Sequence, residues 1–173
     1  LLNRDFKATS PNQKWVTDVT EFKVNGMKLY LSPIIDLFNG EIISYDLSRH
    51  PVFKQVTNML SKAFDKIPDN TNLILHSDQG WQYQMKEYQS LLKDKCIRQS
   101  MSRKGNCLDN SLAENFFGLL KSELFYLKHY DCIEALEKDI KNYIDYYNNK
   151  RIKLKLNGMS PVQFRTHSAA LVA

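Results

Sequence analysis

Long apolar runs are missing from this 173-residue chain. None approaches the roughly 20 residues that a membrane-crossing helix needs, and nothing at its start reads as a secretory signal. Cysteine is scarce: Cys96, Cys107 and Cys132 are odd in number and show no C-x-x-C spacing. They suggest a reducing compartment and no zinc site. His50, His76, His129 and His167 are scattered, with no H-x-x-x-H pair for a transition metal. Repeats, low-complexity tracts and obvious linkers are lacking too. The first residue is Leu rather than Met, so the chain reads as a piece of a longer protein.

What is present is ordinary for one globular domain with a sizeable core: 43% hydrophobic and 25% charged residues. A net charge of +5 leans towards a polyanionic partner.

Residues 1–13 are polar and read as an entry arm. From Lys14 the side chains alternate, with Trp15, Thr17 and Val19 on one face and Val16, Asp18 and Thr20 on the other. This predicts a strand carrying an acid in its middle, although aspartate is a poor strand former. Residues 27–38 and 41–47 are apolar runs around Asn39-Gly40, the pattern of a type I′ hairpin. Pro33 within the first run predicts a bulge or an unpaired position, and Asp36 is expected to be structural. Pro51 then opens a helix on Val52, Phe53, Val56, Met59, Leu60, Ala63 and Phe64, stopped by Pro68-Asp69-Asn70. Residues 73–75 predict a strand buried on both faces, ending just before Asp78.

A helix through Met85, Tyr88, Leu91 and Leu92 follows, then a short strand over residues 96–100. Residues 101–109 lack any period and contain Arg103, Lys104 and Gly105, as a mobile basic loop would. The next helix buries Ala113, Phe116, Phe117, Leu120 and Leu124. Glu114, Gly118 and Lys121 line up beside that stripe. A mid-helix glycine costs about 1 kcal/mol, so Gly118 marks a surface that something approaches closely, either a ligand or another helix. Residues 133–147 form a further amphipathic helix. Lys150, Arg151, Lys153 and Lys155 alternate with aliphatics, as an edge strand or a phosphate-contacting arm would. Asn157-Gly158 turns the chain, and Ser160 to Gln163 spells a capping box.

Two divalent ions held by a few carboxylates can activate an attacking oxygen and stabilise a leaving one at a phosphodiester. Asp18, Asp78 and Glu114 are the candidates, with 35 residues between the last two. Each also has a plain structural use. Asp18 can sit solvated at a strand edge, Asp78 can shape a turn before Gln79-Gly80, and Glu114 can close a capping box with Ser111.

Several motifs carry a resemblance. Trp15 to Thr20, His76 to Tyr83, and Gly105 to Asn110 with Glu114-Asn115-Phe116-Phe117 and Leu120-Lys121-Ser122-Glu123 resemble orfB-type transposases of bacterial insertion sequences. Tyr147 to Arg151 and Met159-Ser160-Pro161 resemble that family's C-terminal signature. The resemblance covers nearly the whole chain. It implies the retroviral-integrase superfamily, an α/β ribonuclease-H-like mixed five-stranded sheet (β-β-β-α-β-α-β-α) flanked by helices, and a D,D(35)E site. It further implies a polynucleotidyl transferase in which Asp18, Asp78 and Glu114 bind two Mg²⁺ (or Mn²⁺). Such an enzyme cuts DNA at the element's terminal inverted repeats with water. It then directs the freed 3′-hydroxyl at target DNA, as a multimer and with no covalent protein–DNA intermediate.

Lys121 matches the superfamily's DNA-contacting position, and Arg103, Lys104, Lys150 and Arg151 are further expected phosphate contacts. The expected divisions are an entry arm (1–13), a catalytic core (14–148), and a basic arm with a short helix packed on the core (149–173). Lys153 departs from the histidine often found there in relatives, and the N-terminal helix-turn-helix region of such transposases is missing from this chain. The expected setting is the bacterial cytoplasm, at the nucleoid. Two alternatives remain at this point: a ribonuclease-H-like nuclease without strand transfer, and a non-catalytic basic nucleic-acid-binding module.

Overall fold

A computed structural model describes residues 6–69, 71–102 and 111–170. Six strand segments form one mixed sheet: β1 (Lys14–Thr17), β2 (Thr20–Val24), β3 (Met27–Asp36), β4 (Ile42–Ser48), β5 (Ile74–Ser77) and β6 (Arg98–Met101). The helices are α1 (Phe53–Phe64), α2 (Lys86–Asp94), α3 (Ser111–Glu123), α4 (Ile133–Asn149) and α5 (Pro161–Ala170).

β1 and β2 pair antiparallel with the same edge of β3 in one continuous register. Thr17 lies opposite Ile34 and Thr20 opposite Leu31. They are one strand interrupted at Asp18-Val19, so the six segments make the expected five strands. That register sets Asp18 opposite Pro33, which has no N–H to donate. The acid therefore stands in a gap of the ladder rather than inside a continuous strand. On the far side β4 pairs antiparallel with β3, while β5 pairs parallel with β1 and β6 with β5.

Strand alternation divides the core between the two faces. Trp15, Ile34, Leu73 and Leu75 meet Val56, Met59, Leu60, Tyr88 and Leu92 from α1 and α2. Val16, Leu29, Leu31 and Ile35 meet Ala113, Phe116, Leu120, Ile140, Ile144 and Tyr147 from α3 and α4. No helix among the described residues is long and apolar enough to cross a membrane. Cys96 and Cys132 are exposed and outside any disulfide among the described residues.

Several local expectations change. The two-residue turn with positive φ at both positions is Asn25-Gly26 (48° and 80°), between Val24 and its partner Met27. At Asn39-Gly40 only the glycine is left-handed, because a longer loop returns to Ile42 and a bulge follows Ile34. Helix α1 starts at Phe53, two residues after Pro51, and β5 runs on to Ser77. Residues 150–156 form no edge strand: Lys153 makes one bridge to Met159, and Leu154–Leu156 is a single 3₁₀ turn. The capping box at the last helix is present. Ser160 N–H donates to Gln163 Oε1 at 3.0 Å, and Gln163 N–H to Ser160 Oγ at 3.3 Å. That helix is tied to the core where Arg165 pairs with Glu41 and Asn39 Nδ2 donates to the Pro161 carbonyl.

Candidate active site

The parallel pairing of β1 with β5 matches Val16 with His76. Two residues further on, past both strand ends, the same register brings Asp18 level with Asp78. Neighbouring strands lie about 4.8 Å apart, so the two acids emerge side by side at the carboxyl end of the sheet's centre, where open α/β sheets bind ligands. Each carboxylate caps its own loop. Asp18 Oδ1 accepts the Val19 N–H at 2.7 Å, and Asp78 Oδ1 accepts the Gly80 N–H at 2.8 Å. Both side chains are half-buried.

Glycine at position 80 has a steric reason. A β-carbon there would come within 2.7 Å of Gln82 Nε2 and 3.0 Å of Asp78 Oδ1. The loop after Asp78 is further fixed by Gln79 Nε2, which donates to the Ser102 carbonyl at 3.0 Å, and by Tyr83, which is fully buried. Burial, then the negative field of Asp18 and, less strongly, that of Asp78 push the Tyr83 phenol well above its ordinary range. Tyr83 thus lies within electrostatic reach of both carboxylates. Sequence patterning gives it no such place, because a tyrosine in that motif reads only as an apolar position.

Glu114 is in the first turn of α3 and exposed. Its neighbour Ala113 is buried in the same core cluster as Val16, and α3 contacts β1. Ser111 is the first residue of α3, three before Glu114. Among the described residues the three acids do not close into a ready metal-ligand cluster. The donor chemistry nevertheless fits a hard divalent cation: all candidate ligands are carboxylate oxygens, and two are set side by side by backbone register.

Gly118 is exposed, with nothing within 4 Å of the position a β-carbon would take, so none of the described helices packs there. Lys121 is half-buried, with Nζ 5.5 Å from the Phe22 ring centroid. Lys150 is exposed. Of the expected basic loop, Met101 instead ends β6 and Ser102 is buried beside it, while Arg103, Lys104 and residues 105–109 lie outside the described residues. Arg151 has a partner that its sequence context hides. Its guanidinium grips both carboxylate oxygens of Glu123, the last residue of α3, with Nε at 3.1 and 2.8 Å and Nη2 closer still. Asp36 is structural, fully buried and accepting the N–H groups of Asn12 and Phe38 at 2.7 and 2.9 Å. A separate groove of about 740 Å³ lies between α1, β4 and α4, and it holds none of the three acids.

The sequence profile of the integrase core domain matches residues 8–107, and a second integrase core profile matches residues 114–169. The chain belongs to the integrase core family. It is 60% identical to the transposase InsK assigned to insertion element IS150 of Escherichia coli over 97% of this chain, and spans 59% of that protein's length. An uncharacterized transposase-like protein of Haemophilus influenzae is 59% identical over 97% of this chain and 77% of its own. These relatives mark this integrase core as one of the insertion-sequence transposase kind. Its fold is that of the HTLV-2 integrase catalytic core domain, solved in complex with magnesium in a dimeric form. That match has a TM-score of 0.72 at 20% identity, covering 92% of this chain and 99% of that one.

Proposed function

We propose that this integrase core is the catalytic domain of a DNA transposase that cuts a strand at an insertion-sequence end and joins the freed end to target DNA. One observation carries the reading: the β1–β5 register that sets Asp18 and Asp78 side by side at the carboxyl end of the sheet. With Glu114 from α3 they would hold two Mg²⁺ (or Mn²⁺), and the magnesium bound by the HTLV-2 core supports that cofactor class. When bound, such ions activate the attacking oxygen and stabilise the leaving one.

In the first step water attacks the scissile phosphorus and the 3′-oxygen leaves as a hydroxyl. In the second, that 3′-hydroxyl attacks a target phosphodiester and displaces its 3′-oxygen. One P–O bond forms as one breaks, so no external energy source is required. The protein's part is positioning and charge. The fixed loop at Asp78 holds one carboxylate in place. Lys121, Lys150, Arg103 and Lys104 are proposed to hold phosphates along the same side, with two DNA ends synapsed in a multimer.

The test is full-length transposase acting on labelled terminal-repeat DNA in Mg²⁺. A nicked product followed by a joined product is expected, and both vanish in Asp78→Asn and Glu114→Gln. Nicking without joining by the wild type would indicate a nuclease, and retained DNA affinity in EDTA with no cleavage in any metal would indicate a binding module. Intact activity in either variant would remove these residues from the site.

A further inference from the structure

The strongest unexplained feature lies at the other end of α3. Glu123 is bound from two directions: by the Arg151 fork, and by Tyr143 of α4, whose hydroxyl donates to Glu123 Oε2 at 2.8 Å. The pair is largely shielded, with the Arg151 side chain 21% and that of Glu123 33% exposed. The Arg151 contact, foremost, holds the Glu123 carboxyl below its usual range. Two residues beyond Arg151, Lys153 Nζ donates to the Tyr147 hydroxyl at 2.6 Å and lies over its ring. Tyr147 in turn meets Phe116 edge-on, with centroids 5.0 Å apart. The segment after α4 therefore grips α3 directly at its last residue and, through Tyr147 of α4, indirectly at its middle.

We propose that Arg151, with Glu123, is a positioning pair that sets the axis of α3 and so brings Glu114 to Asp18 and Asp78, and that Arg151 is not a phosphate contact. The inference rests on the metal-site reading above. With its Nε–Nη2 edge committed to a protein carboxylate, the Arg151 charge is already matched within the fold, and a bidentate arginine fixes orientation as well as distance. Glu114 lies nine residues before Glu123, a lever of about 13 Å along a rigid helix. A small tilt at the gripped end thus displaces the ligand end by a comparable amount. Supporting residues of this kind change metal affinity without touching the metal.

The experiment titrates Mn²⁺ calorimetrically into the metal-free protein and, separately, measures DNA affinity against salt. Wild type is compared with Arg151→Ala, Arg151→Lys, Glu123→Gln, the Arg151→Ala/Glu123→Gln double variant and Glu114→Gln, all checked for folding by thermal melting. Arg151→Ala and Glu123→Gln should each weaken Mn²⁺ binding roughly tenfold, with the double variant no worse than either. Arg151→Lys should recover part of the loss, and the DNA salt slope should be unchanged throughout. A salt slope lowered by about one charge in Arg151→Ala but not in Glu123→Gln would make Arg151 a phosphate contact and overturn the proposal. Wild-type Mn²⁺ affinity in folded variants would overturn it as well. Mn²⁺ binding by the wild type that Glu114→Gln does not weaken would remove the metal-site reading, and the positioning pair with it. Should Arg151→Ala fail to fold, Arg151→Lys and Glu123→Gln still decide the matter, because both keep a polar group at the junction.

Discussion

Asp78→Asn separates what the acid costs the fold from what it contributes to function. Asp18 and Asp78 are level on adjacent parallel strands, and both are half-buried. Two like charges about 5 Å apart repel by roughly 3 kcal/mol at an effective dielectric of 20 and by about 0.8 kcal/mol in bulk water. Half-exposed groups lie towards the lower figure, so the repulsion is about 1 kcal/mol. Asparagine is nearly isosteric and keeps the oxygen that accepts the Gly80 N–H, so the loop cap survives. In EDTA the variant should therefore be more stable than wild type, by about 1 kcal/mol or some 2–4 °C in melting temperature for a domain of this size. Saturating Mg²⁺ should reverse the order, since the wild type gains stability by binding the ion and the variant does not. Thermal melts by circular dichroism in EDTA and in Mg²⁺ measure both effects. A variant that melts lower than wild type in EDTA would show that the carboxylate serves the fold. An undiminished Mg²⁺ shift would show that Asp78 is no ligand.

Burial, opposed by the Asn12 and Phe38 N–H bonds, lifts the Asp36 carboxyl to about 6. The folded state then keeps a proton that the unfolded chain gives up near 3.8, so this group's contribution is most favourable below about pH 4. It becomes less favourable by roughly 3 kcal/mol as pH rises through about 6. The wild-type-minus-Asp36→Asn difference in urea stability should trace that fall, and a flat difference would contradict it. Asn148 closes the bulged edge of β4, accepting the Ile42 N–H and donating to the Ile42 carbonyl, both at 2.9 Å. Asn148→Ala leaves both groups unpaired and should lower the urea midpoint by about 2–4 kcal/mol equivalent with an unchanged slope. Gly118→Ala meets no steric obstacle and should stabilise α3 by about 1 kcal/mol. Strand transfer should nevertheless fall if DNA passes close to that face, whereas unchanged activity would leave the glycine without a functional reason.

The fold was legible wherever one pattern had one physical meaning. The stripes of α3 and α4 predicted the very residues that pack against the sheet, because a 3.6-residue apolar period has few other uses. The two Asn-Gly pairs show the limit. Asn39-Gly40 and Asn25-Gly26 carry the same local signal, and only the second forms the two-residue turn. Strand register decides between them, and register is a long-range property. The alternation over residues 150–156 failed for a related reason. Arg151 and Lys153 are spaced like outward-facing strand residues, but Glu123 and Tyr147, remote along the chain or on another element, claim their head groups.

Aspartate is a misfit in a strand by propensity, and its pairing partner supplies a physical explanation. Pro33 stands opposite Asp18 in the shared β1–β2 register and cannot donate to the ladder. The backbone is free to bend there, so the acid costs little of its usual strand penalty. Either residue alone reads as a local irregularity, the proline as an edge or bulge, the acid as a solvated edge residue. Together they end β1 at the residue where its other neighbour, β5, also ends, and that coincidence of two strand ends is what sets Asp18 beside Asp78. Moving the break by one residue would turn the acid to the opposite face of the sheet, away from α3 and Glu114. Replacing Pro33 by a residue with an N–H, such as valine, should therefore let the ladder close across the gap and stabilise the sheet. The same change should lower Mg²⁺-dependent cleavage, and amide exchange across residues 17–20 would report the closure. Exchange left as fast as in the wild type would mean that the break is maintained by Asp18 itself.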